Sequence, residues 1–216
     1  MNIILFGPPG AGKGTQANKI VKKFNLHKVS TGDLLRDEIR NSTDLGNKIK
    51  SMMDKGSLIP DNIINDLISK VISNKKNYNR LIFVGYPRNL TQAKNLDSQI
   101  KKNKQKISYV FSLKVDKESV IKRILGRIIC SNCGLIFNDY YYPPSNKDHF
   151  CDPKFLSKRS DDNEKIVINR LETYLSITLP ILDFYKDQNL LHQINGMAKI
   201  DQIFDEICDI IGPLET

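Results

Sequence analysis

The chain has 216 residues, of which 40% are hydrophobic and 26% are charged, and this is enough to bury the core of one compact domain. No apolar run approaches the ~20 residues that a membrane-spanning helix needs, and the run Ile3 to Phe6 is too short for a secretory signal. The formal net charge of +9 indicates a phosphate-rich partner, either a nucleotide or a nucleic acid. We therefore expect a cytoplasmic protein without a membrane partner.

Apolar runs and helical patterns alternate along most of the chain. The runs typical of buried parallel strands are 2–6, 80–84, 107–113 and 190–194. Helical patterns cover 13–24, 44–54, 61–73, 117–126, 164–186 and 198–211, and a further helix is expected to start at the capping cluster Ser30–Asp33. Pro180 is expected to bend the 164–186 helix. The alternation predicts an α/β fold with three α/β/α layers around a central parallel sheet.

The segment from Ile128 to about Phe155 interrupts this alternation. It contains a Cys-x-x-Cys pair, three consecutive tyrosines and two adjacent prolines, which predict a small β-rich insertion. Cys130 and Cys133 place two thiolates on one turn, as half of a tetrahedral metal site requires. The remaining cysteines are Cys151 in the same segment and Cys208, which lies on an apolar helix face and is expected in the core.

A glycine-rich loop, Gly7-Pro-Pro-Gly-Ala-Gly-Lys-Gly-Thr15, directly follows the first predicted strand and opens a helix. Glycines let backbone N–H groups surround phosphates, and the helix N-terminus adds positive potential. Lys13 can reach the terminal phosphates, and the Thr15 hydroxyl can join a magnesium shell. Gly14 follows the lysine, where the generic motif has Ser or Thr. The loop predicts phosphate binding by Gly10, Ala11, Gly12, Lys13, Gly14 and Thr15.

This loop, continued by Gln16, resembles the phosphate loop of the adenylate kinase family. Four later segments resemble the same family in order: Ser30 to Arg36, Gly85 to Arg88 with Gln92, Arg123 to Arg127, and Arg159 to Asp162 with Arg170. The resemblance covers nearly the whole chain. It implies a fold of the P-loop NTPase type and a reversible, Mg²⁺-dependent transfer of a phosphoryl group between ATP and AMP. It also implies a core of 1–29, 60–126 and 164–216, a helical AMP-binding segment of 30–59 and a lid insertion of 127–163.

The resemblance implies roles for individual residues, including six of the eight arginines. The catalytic set would be Lys13, Arg88, Arg123, Arg127, Arg159 and Arg170. The ATP site would add Ile136, Phe137 and Ala198 around the base to the phosphate loop and Arg127. The AMP site would contain Thr31, Arg36, Ser57, Leu58, Ile59, Gly85, Tyr86, Pro87, Arg88, Gln92, Arg159 and Arg170. Because the acceptor is already an ionised phosphate oxygen, no general base is expected, and the lid would close to exclude water.

Two positions depart from the family pattern. Val84 occupies the end of a strand where the family has an aspartate that bonds magnesium-bound water, which leaves Asp33 and Asp161 as acceptors near the metal. We therefore expect reduced activity or an altered metal dependence. In zinc-binding lids of the family, the position three residues after the third cysteine is Cys or Asp, whereas here it is Lys154. His149, Asp148 or Asp152 could supply the fourth zinc ligand, or the lid holds no metal.

Three alternatives remain at this point. The chain could be another nucleoside monophosphate kinase or a GTP:AMP enzyme, although Thr31 and Gln92 favour adenine at the acceptor site. It could also be a nucleotide-binding relative with weak catalysis, because of Val84. A basic nucleic-acid-binding zinc protein would need aromatic residues interleaved with arginine on one surface, and only Tyr140–Tyr142 suggest this. We expect a monomer that binds ATP, AMP and ADP and no nucleic acid.

Overall fold

The structure is a computed structural model that describes residues 1–41, 44–54, 59–145 and 149–212, except for the side chains of Leu45 and Asp54. Its strands are β1 (Asn2–Phe6), β2 (His27–Ser30), β3 (Leu81–Val84), β4 (Ile107–Lys114), β5 (Arg127–Cys130), β6 (Ile136–Asn138), β7 (Leu156–Ser157) and β8 (Leu191–Asn195). Its α-helices are α1 (Lys13–Phe24), α2 (Thr31–Arg40), α3 (Asp44–Asp54), α4 (Asp61–Ile72), α5 (Leu90–Lys102), α6 (Lys117–Leu125), α7 (Glu164–Thr173), α8 (Ile181–Lys186) and α9 (Ile200–Ile211).

A parallel sheet with the strand order β2-β3-β1-β4-β8 forms the centre of the fold. Side chains of β1 alternate between its two faces: Ile4 and Phe6 pack with α4, α5 and α8, whereas Ile3 and Leu5 pack with α1 and α9. Every residue of β1 is buried, as expected for a strand covered on both faces. The predicted α/β/α layering is therefore confirmed.

The interrupted segment of the sequence forms a second, antiparallel sheet of three strands in the order β6-β5-β7. In this small sheet Arg127 pairs with Asn138, and Cys130 pairs with Leu156. The predicted β-rich insertion is confirmed. Cys208 is buried in α9 among the core residues on one face of the large sheet, also as expected.

The helix predicted for 164–186 differs from the expectation. It consists of α7, a π-helical turn at Tyr174–Thr178, and the short α8. The Leu179 N–H donates to the Tyr174 carbonyl at 2.7 Å, five residues back. Pro180 has no N–H, and its ring clashes with the carbonyl four residues earlier, so the regular hydrogen-bond ladder cannot pass through it. The proline therefore interrupts the helix over a whole turn.

Two elements were not predicted. Strand β2 has only four residues, of which only Val29 is buried, so the sequence contains no apolar run there. Helix α5 did have a signal: the Asn89 side chain accepts the Gln92 N–H at its start, and Ala93, Leu96 and Ile100 are buried at helical spacing. Among the described residues, the structure has no helix of the length and apolar character needed to cross a membrane.

Candidate active site

A cleft of about 1150 Å³ lies at the carboxyl ends of β1 and β3, where parallel α/β sheets usually bind ligands. Its walls come from the Gly7–Thr15 loop, the start of α2, the loop after β3, the small antiparallel sheet, the loop before α7 and the end of α7. Most of the predicted site residues line this cleft. The sequence-based assignment of Ser57 and Leu58 lies outside the described residues.

The glycine-rich loop joins β1 to α1 in a conformation that requires glycine. Gly10 has φ 74° and Gly12 has φ 89°, in the left-handed region. A Cβ on Gly10 would lie 2.7 Å from Cγ1 of Ile124 in the adjacent helix. Gly12 is the N-cap of α1 and has no side chain that could bond the first N–H groups. The loop therefore presents the start of α1 to an anion in the cleft.

Lys13 is the first residue of α1, and its ammonium group folds back over the loop. Nζ donates to the carbonyls of Gly7 at 2.7 Å and Pro8 at 2.8 Å. Burial, together with repulsion from Arg88, Arg170 and Arg127, lowers the pKa of Lys13 from 10.5 to about 7. A buried ammonium among three guanidinium groups favours an anionic ligand.

All six predicted arginines line the cleft. Burial, followed by repulsion from Arg170 and Arg36, lowers the pKa of Arg88 to about 10. Burial, followed by repulsion from Arg127 and Arg36, lowers the pKa of Arg159 to about 9. Nε of Arg159 is buried without a hydrogen-bond partner within the described part of the chain. These positive charges have to be neutralised from outside the protein.

Three carboxylates partly compensate this cluster. Nε of Arg127 donates to Asp162 at 2.8 Å, and Arg170 donates to Asp161 at 2.9 Å. Arg36 donates to Asp33 at 2.5 Å. Asp33 and Asp161, which the sequence suggested as acceptors near a metal, thus each pair with an arginine. Asp162 received no role of its own in the sequence analysis, although it lies in one of the matched segments.

Arg123 lies in the last turn of α6 and makes different contacts from the other arginines. Its guanidinium donates to the Gly196 carbonyl at 2.9 Å and lies 5.8 Å from the ring centroid of Tyr141. The backbone carbonyl of Arg123 accepts a hydrogen bond from Asn138 at 2.7 Å. These contacts connect α6 to the small antiparallel sheet and to the loop after β8, where Ala198 lines the cleft.

The side chains of the small sheet divide between the cleft and the interior of the insertion. Cδ1 of Ile136 would lie 3.0 Å from a Cβ on Gly14, so Ile136 lies against the start of α1. Phe137 is buried, with its ring centroid 5.6 Å from that of Tyr142 and 5.2 Å from that of His149. Both residues predicted to flank the ATP base line the cleft, and Ile136 lies against the start of α1.

The second predicted pocket lies between α2, α4 and the loop after β3. A small cavity there is lined by Thr31, Leu35, Ile59, Ile64, Gly85, Tyr86, Arg88 and Gln92. The Thr31 hydroxyl donates to the Gly85 carbonyl at 2.8 Å. The Gln92 amide accepts the Arg88 N–H at 2.8 Å and donates to Asp61 at 2.6 Å. The amide nitrogen of Gln92 carries two hydrogens, one of which is donated to Asp61. A purine in this pocket would therefore accept the other.

Val84 ends β3 with its side chain almost buried, beside Leu5 of β1 and Ser30 of β2 in the sheet register. It lines the cleft close to the phosphate loop. A valine at this position has no oxygen to offer to a magnesium-bound water. The departure from the family pattern at Val84 therefore lies in the wall of the cleft, close to the phosphate loop.

Four metal-binding side chains converge in the small sheet. The ligand atoms of Cys130, Cys133, His149 and Cys151 all lie within 4.8 Å of one another. Burial alone would raise the pKa of Cys130, but hydrogen bonds from Cys133, His149 and Asn132 lower it to about 6. Nε2 of His149 is buried without a hydrogen-bond partner among the described residues. Three thiols and one imidazole suit a structural Zn²⁺ ion.

The other two residues proposed as a fourth ligand are less well placed. Asp152 accepts the Lys154 N–H at 2.9 Å, and its other oxygen lies 3.2 Å from the Lys154 ammonium. Asp148 lies outside the described residues. Of the candidates that can be compared, His149 is therefore the one that the structure brings to the cysteines.

Comparisons with known proteins agree with this geometry. The sequence model of the family described as Adenylate kinase matches residues 5–190. The chain is 45% identical over 211 residues to an adenylate kinase from Pelagibacter ubique, covering 98% of this chain and 99% of that protein. It is 41% identical over 217 residues to an adenylate kinase from Methanothrix thermoacetophila, covering 100% of both. The phosphate loop, the arginine cluster and these matches along the whole length together show that the chain belongs to the adenylate kinase family.

Proposed function

We propose that this chain catalyses the reversible transfer of a phosphoryl group from ATP to AMP, giving two ADP. The observation that carries the proposal is the excess of positive charge between the two pockets. The residues that gather there are Lys13, Arg36, Arg88, Arg127, Arg159 and Arg170. Within the described parts of the chain, three carboxylates pair with them. Two nucleotides, each with phosphates directed into the cluster, would supply the missing negative charge.

Positioning and charge neutralisation account for the chemistry. The phosphate loop and Lys13 would hold the ATP phosphates, and Arg88 with Arg36 would hold the AMP phosphate. Arg127, Arg159 and Arg170 would surround the group in transfer, and the pairing of Arg127 with Asp162 and of Arg170 with Asp161 would keep those two arginines oriented. Arg123 would also approach the group in transfer, and Ile136, Phe137 and Ala198, which line the cleft, would flank the ATP base. No general base is required, because an ionised phosphate oxygen attacks.

Magnesium fits this site as part of the ATP substrate. Mg²⁺ usually keeps several water ligands and is held by substrate phosphates with few protein oxygens. The Thr15 hydroxyl lines the cleft and would be available for this purpose, whereas the carboxylates of Asp33 and Asp161, which also line it, each accept from an arginine. The ion would neutralise phosphate charge during transfer. Because Val84 replaces the expected carboxylate, we expect a weaker hold on the hydrated ion.

We further propose that the chain consists of three parts with different functions. Residues 1–29, 60–126 and 164–216 would form the core, 30–59 the AMP-binding segment and 127–163 the lid. The contact of Ile136 with the start of α1 supports a lid that closes over the phosphates and excludes water. Both pockets are built from a single chain, which supports a monomer. We place it in the cytoplasm, where thiols such as Cys130 stay reduced.

A direct assay tests the proposed activity. The purified protein, ATP, AMP and Mg²⁺ should produce ADP, and GTP as donor or CMP and UMP as acceptors should react more slowly. A titration with Mg²⁺ then tests the effect of Val84, which should appear as a high half-saturating concentration. Background ADP formation with intact binding of both nucleotides would instead favour a nucleotide-binding relative without useful catalysis.

The pKa of Lys13 predicts proton uptake on ATP binding. Because phosphate oxygens beside the ammonium raise its pKa again, binding at pH 8 should take up about one proton. At pH 6 Lys13 is already protonated, since its pKa in the unliganded protein is about 7, and the uptake should disappear. Calorimetry at pH 8 in buffers of different ionisation enthalpy measures the uptake. A binding enthalpy independent of the buffer would contradict the prediction.

We propose that the lid holds one Zn²⁺ ion through Cys130, Cys133, Cys151 and His149. The ion would stabilise the small sheet, which has little apolar core of its own. Its removal by a chelator should lower the melting temperature by several degrees, as for other structural zinc sites. Metal analysis of the purified protein and thermal melting with and without chelator measure this.

The fourth ligand can be identified by a pair of variants. His149→Ala should lose most of the bound zinc, whereas Asp152→Ala should keep it, because Asp152 is paired with Lys154. Zinc retained by His149→Ala and lost by Asp152→Ala would assign the position to the aspartate. A wild-type protein without zinc, whose melting does not respond to a chelator, would show that the lid has lost its metal.

A further inference from the structure

One hydroxyl group of the π turn bonds outside its own helix. Thr173 and Ser176 donate to the carbonyls of Asn169 at 2.9 Å and Glu172 at 2.8 Å, each four residues back in the same helical segment. Thr178 instead donates to the carbonyl of Arg88 at 2.8 Å, 90 residues away in sequence. Thr178 is buried, and it lines the cleft.

The π turn explains why this hydroxyl is directed elsewhere. In a regular helix a threonine hydroxyl bonds the carbonyl four residues earlier, which for Thr178 is that of Tyr174. Here the Tyr174 carbonyl accepts the Leu179 N–H at 2.7 Å, in the wider spacing that Pro180 imposes. π-helical turns often occur at functional sites, because they redirect side chains in this way.

The partner of Thr178 is an arginine that is fixed at three points. The Arg88 N–H donates to Gln92 at 2.8 Å, and its Nε donates to the Gly85 carbonyl at 2.9 Å. Thr178 binds the remaining backbone group, the carbonyl. Arg170 and Arg36 repel the Arg88 guanidinium, so these hydrogen bonds are needed to keep it in place before an anion arrives.

We propose that Thr178 is a positioning residue for the acceptor phosphate: it holds the Arg88 backbone so that the guanidinium is aimed at AMP before binding. This inference rests on the proposed kinase function. Thr178 acts through Arg88 and need not touch either nucleotide. Loss of its hydroxyl should therefore affect AMP and leave ATP largely unaffected, because the ATP phosphates bind on the phosphate-loop side of the cluster.

The test compares Thr178→Val, which keeps the side-chain volume, with Thr178→Ser, which keeps the hydroxyl. Removing one buried hydrogen bond and leaving its acceptor unpaired should raise the KM for AMP about tenfold in Thr178→Val. The KM for ATP and kcat should stay within about twofold of wild type, and Thr178→Ser should behave like wild type. Ser176→Ala is the matched control, since its hydroxyl bonds only its own helical segment and is not part of the site.

Three outcomes would overturn the inference: an unchanged KM for AMP in Thr178→Val, equal increases of both KM values, or no rescue by Thr178→Ser. Thermal melting of each variant shows whether it is folded at the assay temperature, and Thr178→Ala provides a second hydroxyl-free variant. Wild-type protein is measured in the same assay. An inactive wild type would contradict the proposed function itself, whereas an active wild type with an unaffected Thr178→Val would contradict only the role of Thr178.

Discussion

Replacing Lys13 with methionine is expected to lower kcat for ADP formation by about 10³-fold, the usual effect of removing a cation from a phosphoryl-transfer site. The ammonium lies over the phosphate loop, bonded to the carbonyls of Gly7 and Pro8. When ATP is bound, it should exchange these carbonyls for phosphate oxygens. Methionine fills a similar volume but offers no charge and no donor. Steady-state kinetics with ATP and AMP measure the loss.

The control for this variant is Lys22→Met, an exposed lysine on the same helix, which should have wild-type kinetics. Lys13→Met should also remain folded, because it removes a buried ammonium. The pKa of Lys13 is about 7 in the folded protein against 10.5 ordinarily, so between these values the unfolded chain binds more protons. Wild type should therefore gain stability relative to Lys13→Met as pH rises from 7 to 10. A kcat within tenfold of wild type would contradict the role of Lys13.

Replacing Arg88 with methionine is expected to raise the KM for AMP about 10²-fold or more, because each hydrogen bond from a guanidinium to a phosphate contributes roughly 1.5–3 kcal/mol. Arg88 lies beside the small cavity between α2 and α4 and is held by Gln92, Gly85 and Thr178. The KM for ATP should change much less. Kinetics with each nucleotide varied in turn separate the two effects.

Arg88→Lys should not restore binding, because a lysine cannot present two parallel donors to a phosphate. Arg80→Met is the matched control, since Arg80 is exposed and donates to the Asn25 carbonyl, away from the cleft. Because Arg88 also repels Lys13, its removal should raise the pKa of Lys13 and reduce the proton uptake that accompanies ATP binding at pH 8. Equal effects on ATP and AMP would contradict the assignment of Arg88 to the acceptor site.

Much of the core could be predicted from the sequence, because long-range packing leaves a local signature there. Strands β1 and β3 are apolar runs and most of β4 is buried, since inner parallel strands are covered by helices on both faces. In the edge strand β8 only Ile194 is buried, so its signal in the sequence is weaker. The phosphate loop was equally clear, because its glycines adopt φ values that other residues rarely reach. Strand β2 has no apolar run in the sequence, because three of its four side chains are not buried. It forms by pairing with β3.

The sequence predicts the site as a set of residues, and the structure adds the contacts that each of them makes. Phe137 and Ile136 are neighbours in sequence, yet Phe137 packs inside the insertion and Ile136 contacts the phosphate loop. Side chains on adjacent strand positions point to opposite faces, and the sequence did not indicate which face meets the cleft. The sequence likewise did not distinguish Arg123 from the other arginines, and its contacts with Gly196 and Tyr141 are visible only in the structure.

The sequence by itself indicated the fold class, the phosphate loop and the Cys-x-x-Cys pair, because each is encoded in local composition and spacing, whereas the set of cationic site residues followed from the resemblance to the family. Only the tertiary structure decided which groups pair: Asp162 with Arg127, His149 with the three cysteines, and Thr178 with Arg88. Asp162 is 35 residues from Arg127 and Thr178 is 90 residues from Arg88, whereas His149 is at most 19 residues from any of the three cysteines. No local preference specifies the two arginine pairs, because they form only when the fold brings distant segments to the same cleft. The cysteines and His149 come together within the insertion, when its chain folds back on itself.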